Sequence, residues 1–127
     1  MPRATQLSVS LKSEPGVLAQ LARTLADARV NIVSLAASAT SGRGKIRLIV
    51  SDPVKAKRAL RRARYRVSEE PVFVVRLRNK PGALARVAGR LAKARVNIKS
   101  AHATTAGRGA AVVLTVGSAK KARKILR

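Results

Sequence analysis

Two Pro-Gly turns are the part of the sequence best suited to bind a small anionic group. They begin two near-copies 66 positions apart, "SEPGVLAQLARTLADARVNIVS" at residues 13–34 and "NKPGALARVAGRLAKARVNIKS" at residues 79–100. Glycine lets the backbone approach a ligand closely, and the unpaired N–H groups at a helix start lie at the positive end of the helix dipole. Such a turn suits a carboxylate, although both turns could also be ordinary strand-to-helix connections.

Basic side chains offer a second kind of chemistry, the binding of a polyanion. The sequence has 28 Lys and Arg against five acids, a formal net charge of +23, and no acid follows Glu70. Like charges four positions apart on a helix repel by about 0.2–0.5 kcal/mol, which an anionic partner would relieve. A solvated basic face is the alternative. The candidate polyanion-binding residues are Lys57, Arg58, Arg61, Arg62, Lys120, Lys121 and Lys124.

A nucleic acid is one such partner, and the scarcity of aromatic residues restricts how it could bind. Phe73 is the single phenylalanine and Tyr65 the single tyrosine, so bases have little to stack on. Binding would therefore be electrostatic and sequence-independent, with Arg76, Arg78, Lys45 and Arg47 lining the open face of the predicted sheet. Arg43 and Arg108 lie at predicted hairpin tips, where a solvated side chain is favoured over a phosphate clamp.

Residues for catalysis are scarce. The sequence has no cysteine, which excludes disulfides, thiolate nucleophiles and thiolate metal sites. His102 is the single histidine, with no acid in its own copy, and Glu69 and Glu70 fall on opposite faces of a predicted strand. Ser34 and Ser100 have no evident activating base. We therefore expect no enzymatic activity, no cofactor and no metal site.

The elements that position the turns can be predicted from hydrophobic periodicity. In the first copy, alternating Leu7, Val9 and Leu11 predict a strand, and apolar residues at three- and four-residue steps predict a helix over residues 16–29. "VNIVSLAASA" and "KIRLIVS" then predict a hairpin closed by "SGRG". Asp52 and Pro53 begin a second helix, and "YRVSEE" closes the copy as a strand, which gives the order βαββαβ.

The second copy repeats this order but ends after its second helix, without the final strand. We expect an α+β fold of two ferredoxin-like units side by side, residues 1–70 and 71–127, each with an antiparallel sheet and helices on one face. The linker "VSEEPVF" is so short that the two adjoining strands should be nearly continuous. The missing strand should leave a sheet edge at residues 71–78, which a second chain could cover.

Chain length and hydropathy restrict the number of domains and the cellular location of the protein. A chain of 127 residues fits one domain or two very small ones that gain by sharing an interface. Apolar runs are too short to cross a bilayer, and "MPRATQLSVS" lacks the apolar stretch of a signal peptide. We expect a cytoplasmic, unexported protein.

The two near-copies resemble the ACT domain family, whose hallmark is a strand, an Asp/Asn-x-Pro-Gly turn, a helix and an Asn-Ile entry to the second strand. Asn79, Pro81 and Gly82 match the turn fully, which makes the second turn the better candidate for ligand binding, and Ser13 replaces Asn in the first. Where the family usually has glycine after the first helix, this chain has Arg29 and Arg95. If left-handed, each costs on the order of 1 kcal/mol.

The resemblance implies a non-catalytic regulatory protein that binds a small ligand, most plausibly an amino acid, between paired ACT units of a homodimer. Asn79 could orient the ligand's amino group or brace the turn, and Asn31 and Asn97 could bond to local backbone, line the pocket, or do both. The ligand-binding residues implied by the resemblance are Ser13, Gly16, Val17, Leu18, Asn31, Ile32, Asn79, Gly82, Ala83, Leu84, Asn97 and Ile98.

Overall fold

The computed structural model describes residues 3–126, which form ten elements in the predicted order. They are β1 (Arg3–Lys12), α1 (Val17–Asp27), β2 (Ile32–Thr40), β3 (Arg43–Val50), α2 (Pro53–Arg62), β4 (Arg66–Arg78), α3 (Ala83–Lys93), β5 (Ile98–Ala106), β6 (Gly109–Val116) and α4 (Ala119–Ile125). The chain divides into two compact units, the first being residues 5–70 and the second residues 3–4 with residues 71–126. The division falls inside β4, because the two strands expected around the linker form one continuous strand.

The first unit packs α1 and α2 on one face of an antiparallel sheet with strand order β2-β3-β1-β4. Alternate residues of β1 and β3 meet the inward stripes of the helices, and full burial of each leucine contributes roughly 1.5–3 kcal/mol. The buried residues of this core are Leu7, Val9, Leu21, Leu25, Val30, Ile46, Leu48, Val50, Ala56 and Leu60. The α+β fold expected from the periodicity is therefore confirmed.

A two-residue turn joins β2 to β3, two residues shorter than the predicted "SGRG" turn, so Arg43 is the first residue of β3 and not part of the tip. Thr40 pairs with Arg43, so Ser41 and Gly42 form the turn, and both have positive φ (52° and 77°). These angles match a type I′ turn, whose twist agrees with that of the flanking strands. The hairpin register follows from the turn and aligns Ala37 with Ile46.

Helix α1 ends two residues earlier than its pattern suggests, because the chain turns into a left-handed residue. Ala28 is the C-cap, and Arg29 has φ 58°. The N–H of Arg29 donates to Ala26 O (2.9 Å) and that of Val30 to Leu25 O (2.9 Å), the pair of bonds that defines a Schellman motif. Val30 and Leu25 both lie in the core, which completes the motif.

The same ending closes α2 and α3, again with arginine in the left-handed position. Arg64 has φ 69° and Arg95 has φ 59°. The N–H of Val96 donates to Leu91 O (2.9 Å) and that of Tyr65 to Leu60 O (3.0 Å). A cation near the negative end of the helix dipole offsets part of the strain. Arg29 and Arg95, whose backbone conformation the sequence left open, are therefore left-handed.

The second unit has the strand order β1-β4-β6-β5, with β1 contributing Arg3 and Ala4 to this unit. All pairings of β6 are antiparallel, and α3 and α4 pack on one face. The buried residues are Phe73, Val75, Val87, Leu91, Val96, Val112, Leu114, Ala122 and Leu126. No fourth strand follows α4 within the described residues. Strand β1 is hydrogen-bonded to β4 but contributes only Arg3 and Ala4 to this unit, so the unpaired edge expected at residues 71–78 stays a prediction.

Side-chain caps start α2, as the sequence predicts, and α4. Asp52 Oδ1 accepts a hydrogen bond from the Lys55 N–H (3.1 Å), and Ser118 Oγ accepts one from the Lys121 N–H (3.3 Å).

No helix among residues 3–126 is long and apolar enough to cross a membrane.

Candidate functional site

The Pro-Gly turn of the first unit leaves the start of α1 open. Gly16 is the N-cap with φ 88°, and no side chain caps the helix. The N–H of Val17 donates to Glu14 O (3.3 Å) and that of Gln20 to Gly16 O (2.9 Å). Between them, the N–H groups of Leu18 and Ala19 have no acceptor among residues 3–126. The turn therefore presents two free donors at the positive end of the helix dipole.

A groove of about 250 Å³ lies at this turn. Aliphatic residues form most of its lining, and Glu14 is the one acidic residue among them. Its lining residues are Leu11, Ser13, Glu14, Val17, Leu18, Ala37, Ser38, Ala39, Gly44 and Ile46. A groove of this kind can hold a small ligand with an apolar part and a positively charged group.

Some of the predicted ligand residues meet at this groove and others do not. Ser13, Val17 and Leu18 line it, and Gly16 adjoins them in the turn. Asn31 and Ile32 follow the opposite end of α1, whose eleven residues span roughly 16 Å. The sequence reasoning missed Ala37, Ala39 and Ile46, although the register of the predicted hairpin would have placed them together.

The equivalent turn in the second unit has the same backbone but different side chains. Gly82 is an N-cap with φ 86°, and the N–H groups of Leu84 and Ala85 have no acceptor in the described chain. Lys80 occupies the position equivalent to Glu14, which inverts the charge of the turn. Ala83 is the first residue of α3.

Asn79 donates two hydrogen bonds to the neighbouring β5–β6 hairpin. Its Nδ2 donates to Gly107 O (3.1 Å), and its backbone N–H donates to Arg108 O (2.7 Å). Ser13 repeats the backbone bond, to Gly42 O (2.8 Å), but no side-chain bond of Ser13 exists in the described chain. Of the two roles expected for Asn79, the structure shows that it braces the turn.

The second unit has a cavity that shares three equivalent positions with the first groove, because Leu77, Thr104 and Ala110 correspond to Leu11, Ser38 and Gly44, but it does not include the Pro-Gly turn. This cavity of about 360 Å³ is lined by Arg76, Leu77, Thr104, Gly109, Ala110 and Ala111. None of the ligand residues predicted in this unit is among them. The two units are thus related in sequence but differ in the surfaces that they offer to a ligand.

Asn31 and Asn97 contribute backbone groups where a helix gives way to a strand. The Asn31 N–H donates to Ser51 Oγ (3.0 Å), and Asn97 O accepts from the Gly117 N–H (2.8 Å). Their exposed side-chain amides have no hydrogen-bond partner among residues 3–126, so the local bonds expected of these side chains are not formed. Ile32 and Ile98 pack against the two cores.

The basic residues expected to bind a polyanion are exposed, with one exception. Lys57 is half-buried, and its Nζ forms an ion pair with Glu69 Oε1 at 2.8 Å. No other Lys or Arg of the described residues forms an ion pair. Arg58, Arg61, Arg62, Lys120, Lys121 and Lys124 are all exposed.

The sheet face away from the helices is less open than the sequence suggests. Gln6 and Ser8 point to that face of β1 and are buried, and Gln6 Nε2 donates to Glu70 Oε1 (3.0 Å). Lys45, Arg76 and Arg78 are exposed, and Arg47 is half-buried.

Among residues 3–126, no group of three His, Cys, Asp or Glu could hold a metal ion.

Comparison with known proteins identifies the family. A model of the ACT domain pair matches residues 3–127. The crystal structure of protein BT0572 from Bacteroides thetaiotaomicron is 32% identical, covers 98% of this chain and 86% of that chain, and superposes with a TM-score of 0.94. No protein with a curated function matches.

More distant structures share the fold. The ligand-free regulatory subunit of aspartate kinase from Thermus thermophilus is 17% identical, with a TM-score of 0.70 and coverage of 98% of this chain and 88% of that chain. The corresponding subunit from Thermus flavus is 16% identical, with a TM-score of 0.71 and coverage of 98% and 90%. The family match spans both near-copies, and the turns described above carry the motif twice. The chain therefore belongs to the ACT domain family, as an ACT domain pair.

Proposed function

We propose that this protein is a non-catalytic regulatory protein that binds an amino acid at the Pro-Gly turn of its first unit. The observation that supports this most is the aliphatic groove beside two backbone N–H groups that have no acceptor in the described chain. Regulatory subunits of aspartate kinase share this fold, which agrees with a regulatory role.

Each part of an α-amino acid has a matching group at the first turn. The N–H groups of Leu18 and Ala19 would donate to the ligand's carboxylate, and the Glu14 carboxylate would pair with its ammonium group. An aliphatic ligand side chain would occupy the groove against Leu11 and Ile46.

The first turn is preferred over the second because of two residues. Lys80 would repel an ammonium group where Glu14 attracts it, and the side-chain amide of Asn79 is bonded to Gly107 O. The second turn matches the family motif better, but residues 79–84 do not line the cavity at Leu77 and Thr104 in its unit.

A second copy of the chain would complete the site. Leu18 is 45% exposed and Leu84 is 52% exposed, although each lies beside a proposed or equivalent ligand turn. Val33 (64% exposed) and Leu35 (39% exposed) add apolar surface on the neighbouring strand β2. Burying these side chains against a partner is favourable, which supports a homodimer with the ligand held between ACT units of two chains.

Isothermal titration calorimetry with each of the twenty amino acids tests the proposal. We expect an aliphatic amino acid to bind, and Glu14→Gln to weaken its binding by at least about tenfold, because a charge-assisted bond to the ammonium is lost. Lys80→Gln, at the equivalent position of the second unit, is the matched control and should leave the affinity unchanged.

Absence of heat and of any thermal shift with all twenty amino acids would contradict the proposal. Equal effects of Glu14→Gln and Lys80→Gln would place the site elsewhere. Sedimentation equilibrium with and without the bound amino acid measures the proposed homodimer. The cytoplasmic location stays a prediction that fractionation of cells can test.

Polyanion binding, with nucleic acid as one partner, is the second candidate function. Its support is that the Lys and Arg side chains of residues 3–126 are left almost entirely without carboxylate partners. This function is compatible with the first, because the basic side chains and the groove are different sets of residues.

A further inference from the structure

The largest block of basic residues without ion-pair partners in the first unit is carried by α2. We define the α2 basic face as Lys55, Arg58, Arg61 and Arg62 of the helix together with Arg64, two residues beyond its end, and all five are exposed. The nearest acids in sequence are already engaged, since Asp52 caps the helix and Glu69 pairs with Lys57. The face therefore carries five positive charges that nothing in the described chain neutralises.

The arrangement of these residues around α2 suits a groove with anionic walls. Ala56 and Leu60 are fully buried and point inward, so Arg58, about half a turn away, lies at the centre of the outer face. Arg61 lies on one flank, and Lys55 and Arg62 lie on the other, because successive residues advance by about 100°. A helix placed in a groove with this orientation would present cations to both walls.

Duplex DNA has the required groove. The major groove of B-form DNA is wide enough for an α-helix, and its walls are two rows of phosphates. The ten residues of α2 span roughly 15 Å, enough to follow the groove over several base pairs. Arginine also has the forked donor geometry that phosphate oxygens prefer.

Other nucleic acids fit less well. Binding of single strands uses exposed aromatic rings as stacking platforms, but Phe73 is 1% exposed and Tyr65 packs against the first core. The major groove of A-form RNA is too deep and narrow for side chains on a helix. The chemistry of the face therefore favours double-stranded DNA over single strands and double-stranded RNA.

We propose that the α2 basic face binds the phosphate backbone of double-stranded DNA, without sequence preference. This proposal specifies the partner and the surface of the second candidate function and rests on it. It is independent of amino-acid binding at the first turn.

Fluorescence anisotropy with a labelled duplex of about 20 base pairs, over a series of KCl concentrations, tests the proposal with the full chain. The test variant is Arg58→Gln/Arg61→Gln/Arg62→Gln. The matched control is Lys120→Gln/Lys121→Gln/Lys124→Gln, which removes the same charge from α4. Circular dichroism melting checks that both variants fold.

We expect the test variant to bind at least about tenfold more weakly at low salt. Its slope of log affinity against log salt concentration should become less negative by up to about 2.7, because each lost phosphate contact reduces the magnitude of the slope by about 0.9. The control should keep most of the wild-type slope.

Four results would overturn the proposal, and they are distinguishable. Equal losses in both variants would mean that net charge, not the α2 face, drives binding, and the second candidate function would survive. No duplex binding by the wild type would contradict both this proposal and nucleic-acid binding as the second candidate function. Equal or tighter binding of a single strand or of double-stranded RNA of the same length would exclude duplex DNA as the preferred partner.

Discussion

The side-chain amide of Asn79 donates a 3.1 Å hydrogen bond to the carbonyl oxygen of Gly107, and so ties the Pro-Gly turn of the second unit to the β5–β6 hairpin. Ser13, at the equivalent position of the first unit, has only the corresponding backbone bond. The family motif is thus more complete in the unit where its asparagine stabilises the turn. The first unit has the shorter side chain beside the groove.

Asn79→Ser should therefore destabilise the protein by about 0.5–1 kcal/mol, the usual net value of one hydrogen bond. Urea denaturation measures the change. Asn97→Ser is the control, because the Asn97 side chain has no partner in the described chain, and its stability should stay the same. A loss as large in the control would show that the Gly107 bond is not responsible.

Arg29→Gly and Arg95→Gly should each stabilise the protein by about 0.5–1 kcal/mol. Both arginines have left-handed φ (58° and 59°), which strains a residue with a Cβ atom. Arg23→Gly, in the interior of α1, is the matched control and should destabilise by about 1 kcal/mol. Thermal and urea unfolding give the signs, and destabilisation by all three changes would mean that favourable arginine contacts outweigh the strain.

Gly16→Ala and Gly82→Ala should each destabilise by about 1 kcal/mol through backbone strain alone, because their φ values are 88° and 86°. A Cβ atom at either position would meet nothing within 4 Å, so steric overlap is not the cause. Gly89→Ala, in the interior of α3 and with equally open surroundings, should stabilise by about 0.5–1 kcal/mol. Equal signs at the three positions in equilibrium unfolding would contradict this explanation.

Thr115→Val should stabilise the protein by about 1 kcal/mol, since burying an unpaired hydroxyl is unfavourable. Thr115 is 6% exposed, and its Oγ1 has no hydrogen-bond partner in the described chain. Ile49 fills the equivalent position of the first unit, where an apolar side chain is already accepted. Thr105→Val, on the exposed part of β5, should change the unfolding free energy by less than about 0.5 kcal/mol.

A fall in stability on Thr115→Val would indicate that this hydroxyl has an acceptor in solution. An ordered water molecule would supply one.

Arg90→Gln should destabilise the C-terminal end of α4 and so increase its local opening. The Arg90 guanidinium donates to the carbonyl oxygen of Ile125, the last residue of that helix, and so satisfies one of its free acceptors. Hydrogen exchange of the α4 amides should become faster by roughly three- to tenfold. Arg86→Gln, on the same helix and without a partner in the described chain, should leave that exchange unchanged.

The sequence predicts the element order and the presence of the two hairpins, because these depend on local patterns that the repeat at a spacing of 66 positions shows twice. The partner of Arg90 could not be predicted, since it is 35 positions away. The burial of Phe73 and the ion pair of Lys57 also depend on packing. The groove at the first turn depends on the meeting of α1 with three strands, which single-residue patterns do not describe.

The two-residue turns of the hairpins also bear on how a duplicated chain folds without exchanging its copies. Strand β2 pairs with β3, and strand β5 pairs with β6. Because β2 and β5 begin with nearly the same residues, each could in principle pair with the other's partner. A hairpin closed by two residues forms in roughly 1–10 μs, before pairings distant in sequence are established. Each strand therefore meets its own neighbour first, and the short turns limit kinetic competition between the copies.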